Sequence, residues 1–301
     1  MNGLRTRNCG FTLIEAIVVI VITGIIASMV AVFIRTPVDG YLDAERRAGL
    51  TDIADTAVRR MARDIRLALP NSVRTSADGS GLCIEFIPTK IGARYRAEVD
   101  VTTGNGDPLD FTAIDDRFDM LWLNSTLPAD SRIAAGDVVV VFNDGSSSGN
   151  AYTGINAIQV ATVAEPGGTP NTTAISFVGT GAAAPFGRKQ LPSQSPGSRF
   201  QVIPAGSHVV SFRCDGGLLT RHVRVLGAAW TPPATCAAMV AGATSSVLAS
   251  NLGSCSLTYD PPGVSTGLSR FGMVSMSLGI TDVASGETIS LYHQAHVDNT
   301  P

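Results

Sequence analysis

The sequence has little charge and no excess of basic residues. Its 301 residues include 22 lysines and arginines against 25 aspartates and glutamates, for a formal net charge of −3. Nucleic-acid binding needs a basic patch or stripe, so this balance argues against a nucleic-acid partner. Aromatic residues are also scarce, at 6% of the chain, whereas 31 glycines and 16 prolines interrupt it. Frequent glycines and prolines are typical of a loop-rich domain with many short strands.

The short motifs of common metal and nucleotide sites are absent as well. The sequence has no Cys-x-x-Cys pair, no histidine pair with the spacing of a zinc site and no Gly-x-x-x-x-Gly-Lys run to bind phosphate. Asp144–Asn150 and Asp282–Glu287 offer oxygen ligands of the kind that calcium binds, but neither follows the twelve-residue EF-hand pattern. Turn formation explains both stretches. We therefore predict no metal, no cofactor, no catalytic residue and no enzymatic activity. An anchored periplasmic enzyme stays open as an alternative, because catalytic carboxylates can come together from distant segments of a chain.

One long apolar run departs from this average composition. It extends from Phe11 to Ile34, and roughly 20 apolar residues are enough to span a bilayer as a helix. Arg5 and Arg7 precede the run, whereas acidic residues predominate after it, so the positive-inside bias predicts a cytoplasmic N-terminus. We expect a single-pass inner-membrane protein whose remaining chain faces the periplasm or the exterior. The exceptions within the run are Thr12, Glu15, Thr23, Gly24 and Ser28.

Three other kinds of N-terminus also contain an apolar run. A secretory signal peptide has a shorter run followed by a small-residue cleavage site, whereas this run continues past Ala27 and Ser28. A lipoprotein carries its cysteine after the run, whereas Cys9 lies before it. A plain signal anchor fits the run, but it gives no reason to keep a carboxylate at Glu15.

Glu15 is the residue of this run that needs a partner. A carboxylate at the centre of a transmembrane helix costs about 2.5 to 3.5 kcal/mol on insertion scales and is functional by default. The apolar residues around it supply no cation. A cut between Gly10 and Phe11 would create a free amino group close to Glu15 in the chain. Neighbouring subunits of a helix bundle could then pair the two charges.

Residues 10–15 read GFTLIE, which resembles the cleavage and methylation motif of type IV prepilins. The resemblance implies that an inner-membrane prepilin peptidase cuts after Gly10 and methylates the new terminal residue, Phe11. It also implies that Glu15 engages the amino terminus of a neighbouring subunit during assembly. The implied partners are the prepilin peptidase, other minor and major pilins, the inner-membrane assembly platform and the membrane.

Four regions follow along the chain: a leader peptide over 1–10, a transmembrane and assembly helix over 11–34, an amphipathic continuation of that helix over 35–70, and a β-rich periplasmic or extracellular domain over 71–301. We expect Pro37 and Gly40 to loosen the helix and Pro70 to end it. Apolar residues three or four apart predict its buried face. They are Leu50, Ile53, Ala57, Met61, Ile65 and Ala68.

Beyond the helix, short runs rich in Val, Ile and Phe predict strands separated by turns. Asp137–Phe142 is apolar on both faces and should lie at the centre of a sheet. The predicted fold class is α+β, with a long N-terminal helix packed on an antiparallel sheet, which is also the architecture of pilins. The predicted strands are Leu82–Ile87, Arg94–Val101, Asp137–Phe142, Ala157–Val163, Val209–Phe212, Met273–Ile280 and Ile289–Val297.

Three further stretches give a narrower resemblance. Residues 63–74, 255–259 and 291–301 are similar to MshO-type minor pilins of the mannose-sensitive haemagglutinin (MSHA) pilus system. This implies a minor pilin of pilus biogenesis. The large region beyond the membrane segment would be hard to repeat along a tightly packed shaft, so we expect the subunit to initiate assembly or to sit at the filament tip, on the cell surface. A J-type pseudopilin of type II secretion shares such stretches and stays open as an alternative. An adhesive tip that binds a surface or a glycan is another; exposed aromatic residues would favour it, but we assign Trp122 and Trp230 to the core.

Loss of the leader would remove Cys9 and leave four cysteines, an even number in a compartment that permits disulfides. Four cysteines allow three connectivities. We favour Cys236 with Cys255, because the Ala-, Gly- and Ser-rich stretch between them has few bulky side chains to anchor it. Cys83 then pairs with Cys214.

Overall fold

The computed structural model describes residues 10–181, 185–227, 233–260 and 271–301. The chain divides into two compact units, Met1–Leu50 and Thr51–Pro301. Of the predicted leader only Gly10 is described, and Trp230 also lies outside the described residues.

Helix α1 runs unbroken over Leu13–Arg66, a length of 54 residues. It is continuous through both Pro37 and Gly40, where we expected it to loosen. A proline costs a helix one amide hydrogen bond, and a helix of this length accommodates that loss. The helix ends a few residues before Pro70, as expected, because the residue that precedes a proline is disfavoured in the helical conformation.

The part of α1 in the second unit buries one face. The predicted stripe is confirmed at Ala57 and Ile65, whose side chains are buried. Ile53 was wrongly placed on the stripe, because it is 44% exposed and Ala54 is fully buried in its stead. The helical period explains the difference, since a step of four residues from Leu50 reaches Ala54.

The described residues of the second unit form fourteen strands, and every pairing among them is antiparallel. The long helix and the antiparallel sheets confirm the predicted α+β class. The strands are Arg74–Thr75 (β1), Cys83–Phe86 (β2), Ile91–Arg94 (β3), Arg117–Met120 (β4), Val138–Val140 (β5), Ala157–Ala164 (β6), Thr173–Phe177 (β7), Arg199–Ile203 (β8), Val209–Asp215 (β9), Leu218–Arg224 (β10), Thr244–Ala249 (β11), Leu252–Asp260 (β12), Phe271–Thr281 (β13) and Thr288–Asp298 (β14). A short helix, α2, spans Cys236–Val240.

The strands make three sheets, ordered β1-β2-β9-β10-β11, β12-β13-β14 and β3-β8-β5-β6-β7-β4. The six-stranded sheet closes on itself, because the residues just after β3, at one edge, pair with β4, at the other edge. There Arg96 N donates to Asp119 O and Leu121 N donates to Arg94 O, both at 2.9 Å. The result is a small barrel built from β3 to β8. It is inserted in the chain between β2 and β9, which are neighbours in the five-stranded sheet.

Strand β5 belongs to the barrel, and its two faces line two different cores. Val139 and Val141 lie in the barrel core, which also contains Phe118 and Phe200. Val138 and Val140 lie in a second core with Leu69 and Val209. The expectation that this strand is central and apolar on both faces is therefore confirmed.

Two predictions in this region were wrong. The strand predicted over Arg94–Val101 runs instead over Ile91–Arg94, and the chain then turns at Asp100, whose carboxylate accepts the amides of Thr102 and Thr103 at 2.9 and 3.0 Å. Trp122 is not a core residue, since it is 60% exposed.

A buried carboxylate anchors the five-stranded sheet. Glu85 on β2 is fully buried and accepts hydrogen bonds from Arg74 Nε at 2.9 Å, Ser211 Oγ at 3.0 Å and Arg224 at 3.2 Å. Two guanidinium groups and a hydroxyl thus compensate the cost of burying this charge. On the same sheet, Arg221 of β10 donates to Asp64 of α1 at 2.7 Å.

His208 makes the stability of this core depend on pH. Its Nδ1 accepts the amide of Leu226 at 3.0 Å, and its ring lies edge-on to Phe186. Burial lowers the pKa of His208 from 6.5 to about 4. The unfolded chain therefore binds this proton more readily than the native one, so the stabilisation is complete above about pH 6.5 and is lost as the pH falls towards 4.

We expect the free energy of unfolding to fall by about 2.5 kcal/mol on this account between about pH 7.5 and about pH 4.5, because a tenfold change in proton affinity corresponds to about 1.4 kcal/mol. Urea unfolding at both pH values measures the loss. In His208→Gln, which keeps an acceptor for the Leu226 amide but does not titrate, the loss should shrink by that amount. An equal loss in the two proteins would assign the pH dependence to other groups.

Candidate processing and assembly site

Thr12 caps the N-terminus of α1. Its hydroxyl oxygen accepts the amide of Glu15 at 3.3 Å, and its carbonyl accepts the amide of Ala16 at 3.2 Å. Thr12 and Glu15 thus stand in the Thr-x-x-Glu spacing of a capping box, which satisfies backbone amides that have no partner within the helix. The sequence analysis missed this role of Thr12, although the spacing alone carries the signal.

The following segment is apolar and unburied. Leu13–Ile34 has a mean hydropathy of 3.0 over its most apolar part, none of which is buried, so by length and composition it is able to cross a membrane. Its hydroxyl groups are satisfied inside the helix, since Thr23 donates to Val19 O and Ser28 to Ile25 O, both at 2.7 Å. These side chains therefore present no unmet donor to a lipid or to a packed neighbour.

Glu15 differs from these hydroxyl groups. Within the part of the chain that the structure describes, its carboxylate has no ion-pair partner. It lies in the first turn of α1, where the positive end of the helix dipole favours an anion. The insertion cost quoted for a helix centre is therefore too high for this position. What remains is a carboxylate in the first turn of an exposed apolar helix, without an ion-pair partner among the described residues.

The expected cleavage point is open. Phe11 is 78% exposed, and a Cβ atom built on Gly10 would meet no atom within 4 Å. Gly10 and Phe11 precede the first residue of the helix, so the bond between them lies in non-helical backbone. A protease needs such accessible, non-helical backbone.

The predicted disulfide connectivity was wrong. The structure joins Cys83 to Cys236 and Cys214 to Cys255, with Cα–Cα distances of 5.5 and 6.3 Å. The register of the sheet explains why, because Cys83 lies opposite Arg213 and not opposite Cys214. Neighbouring residues of a strand point to opposite faces, so Cys83 and Cys214 face away from each other. One bond therefore attaches α2 to β2, and the other attaches β12 to β9.

The two candidate calcium stretches are turns. Asp144 accepts the amide of Ser146 at 2.9 Å, and Asp282 accepts the amide of Ser285 at 3.1 Å. Among the described residues, no group of three or more His, Cys, Asp or Glu side chains is arranged to hold a metal ion. Residues 145–149 also spell Gly-x-Ser-x-Gly, which the sequence analysis missed, but a single turn of 3₁₀ helix follows them and no helix that would form a nucleophile elbow.

The chain matches the family described as "Prokaryotic N-terminal methylation motif" over residues 5–31. Together with the apolar helix, the match supports a membrane-anchored, type IV pilin-like protein. The motif implies processing by a prepilin peptidase and assembly with other pilins in a membrane machinery, and it is typical of structural proteins and not of enzymes. No curated protein matches the chain. No solved structure matches it either.

Proposed function

We propose that this chain is a minor pilin of an MSHA-type type IV pilus, in which it initiates assembly or occupies the filament tip. In this proposal a prepilin peptidase removes residues 1–10 and methylates Phe11. The N-terminus lies in the cytoplasm and residues 71–301 outside the inner membrane, until the subunit passes into the pilus. The observation that carries the proposal is an exposed apolar helix that starts within the methylation motif and whose first turn holds a carboxylate, Glu15, with no ion-pair partner among the described residues.

Assembly supplies what the isolated helix lacks. Packing against other pilins through 11–34 would bury the apolar surface, and a neighbour's free amino group would compensate Glu15. The continuation over 35–70 would then connect this helix to the ectodomain. That ectodomain carries an inserted barrel, and its bulk favours a tip over a tightly packed shaft. A J-type pseudopilin of type II secretion is the alternative. Imaging of filaments after gene deletion distinguishes them, since loss of pili supports our proposal and intact pili with failed secretion support the alternative.

Substitution of Glu15 tests the assembly role. We expect Glu15→Leu to be processed and inserted normally, because it makes the helix more apolar, but to be poorly incorporated into filaments. A charge-assisted hydrogen bond contributes about 1.5 to 3 kcal/mol, which corresponds to roughly a 10- to 100-fold loss. The measurement is the ratio of sheared filament protein to membrane protein, obtained by immunoblotting.

Glu15→Gln is the matched variant. Glutamine can still serve in a capping box but carries no charge, so it should lose incorporation as Glu15→Leu does if the ion pair is what matters. Normal incorporation of Glu15→Gln would show that the charge of Glu15 is not needed for assembly and that the residue serves only to cap the helix. A plain signal anchor predicts no filament-associated protein in any of the three strains.

A further inference from the structure

The exposed Trp122 stands on a rigid segment just after β4. Its carbonyl accepts the hydroxyl of Thr173 at 2.8 Å, and the same hydroxyl oxygen accepts the amide of Asn124 at 2.9 Å. The side chain of Asn124 in turn holds Ile133, whose amide it accepts at 2.7 Å. The indole is therefore presented to solvent by a fixed backbone. A large aromatic ring held in this way has an apolar face available for a ligand.

Two arginines lie nearby on the outer face of the barrel. Arg94 of β3 is directly opposite Arg199 of β8 in the sheet register. Both are exposed, because Ala93 and Phe200 face the barrel core. Like charges directly opposite each other destabilise a sheet. Within the described residues neither arginine forms an ion pair, so this local repulsion has no compensating carboxylate.

Two adjoining grooves connect these features. One has a volume of about 310 Å³ and is lined by Arg94, Leu121 and Trp122, and the other has a volume of about 340 Å³ and is lined by Arg94 and Arg199. Both also contain Gly92, which leaves their common floor without a side chain. Gly92 is not required by the backbone, since a Cβ atom there would make only an ordinary contact with Phe200 O at 3.7 Å.

We propose that this surface, formed by Gly92, Arg94, Leu121, Trp122 and Arg199, binds a carboxylated polysaccharide. The indole stacks on the C–H face of one sugar ring, and the paired guanidinium groups bind the carboxylate of another, which also relieves their mutual repulsion. Guanidinium groups match the planar geometry of a carboxylate. This activity goes beyond the structural role proposed above and holds equally for a subunit of a pilus or of a secretion pseudopilus.

An acidic peptide that adds a strand to β3 fits less well. In a ladder every second residue of β3 directs its amide and carbonyl away from β8, and these residues are Gly92 and Arg94. The carbonyl of Arg94 already accepts the amide of Leu121 at 2.9 Å. Gly92 alone is left with both groups free for a new strand, which is too short a run for peptide addition. Recognition at this surface therefore depends on side chains and not on the strand edge.

The test uses the full-length protein in detergent and a linear hexamer of galacturonate as the probe, with binding measured by calorimetry. We expect binding that weakens with added salt, and no binding of the neutral hexamer maltohexaose. The double variant Arg94→Gln/Arg199→Gln and the single variant Trp122→Ala should each bind at least about tenfold more weakly, and Gly92→Leu should block the groove. Tyr292→Ala and Arg59→Gln remove a similarly exposed aromatic ring and arginine elsewhere and should bind as the wild type does.

Several results would overturn the proposal. One is the absence of galacturonate binding by the wild-type protein. Circular dichroism and thermal unfolding should be the same for the wild type and the variants, which shows that all of them are folded. Another is equal binding of the wild type and the Gly92→Leu variant. Preferential binding of a sulfated heparin hexasaccharide would overturn the choice of a carboxylate, and equal binding of hexaglutamate would overturn the choice of a polysaccharide. None of these results bears on filament assembly, which is measured separately.

Discussion

Replacing Cys83 and Cys236 together by alanine will lower the free energy of unfolding of the oxidised protein by about 5 kcal/mol. The two cysteines are 153 residues apart in sequence, and the chain-entropy model gives about 5 kcal/mol for a loop of that length. The bond also holds a small buried cluster of Cys83, Cys236 and Met239 on one face of the five-stranded sheet. Many domains have a total stability no larger than this loss.

The second disulfide provides the matched control. Cys214 and Cys255 are 41 residues apart, so their replacement by alanine should cost about 4 kcal/mol, somewhat less than the first pair. Denaturant unfolding of each double variant in detergent measures both values. Thiol mapping of the single variant Cys236→Ala checks the pairing, since it should expose a thiol at Cys83. A thiol at Cys255 in that variant would contradict the structure.

The N-terminal part of the molecule could be predicted because its signals are local. The apolar run from Phe11 to Ile34 and the charge of Glu15 are properties of consecutive residues, and a helix needs no distant partner for its hydrogen bonds. Even at Ile53 the predicted buried position was only one residue away from the observed one, Ala54. The strands that were found have the same local character, with Val138–Val140 the clearest case.

The inserted barrel could not be predicted in this way. Its closure depends on the backbone pairing of Tyr95 with Met120, which no local sequence pattern predicts. Several of the missed strands also lack strong apolar periodicity, such as Leu218–Arg224, with its two arginines and a histidine, and Thr244–Ala249, which is largely exposed. Such strands form because neighbouring strands offer backbone hydrogen-bond partners. This tertiary context outweighs the intrinsic preference of the residues for a strand.

The errors at the sites have the same origin. Cysteine spacing carries no information about sheet register, and register decides that Cys83 and Cys214 point to opposite faces. The rule that tryptophan is mostly buried failed for Trp122, because barrel closure places the residues just after β4 at the surface. The arginine pair of the proposed polysaccharide surface likewise exists only once β3 and β8 are in register.

Gly10→Glu will abolish processing of the chain, while Gly10→Ala will have little effect. The proposed peptidase must admit extended backbone with almost no side chain before the scissile bond, so a methyl group fits and a long carboxylate does not. The chain itself imposes no such limit, since a Cβ atom at Gly10 meets nothing within 4 Å. A difference between the two variants therefore reports recognition by the peptidase and not folding.

Mass spectrometry of membrane-extracted protein measures this result. The wild type and Gly10→Ala should begin with N-methylated Phe11, and Gly10→Glu should keep its leader from Met1. Because the uncut Gly10→Glu protein has no free amino group at Phe11 to offer to the glutamate of a neighbouring pilin, it should also be missing from sheared filaments, although it is inserted in the membrane. An intact Met1 terminus in the wild type, in cells with an active peptidase, would refute both the cut and the assembly mechanism that depends on it.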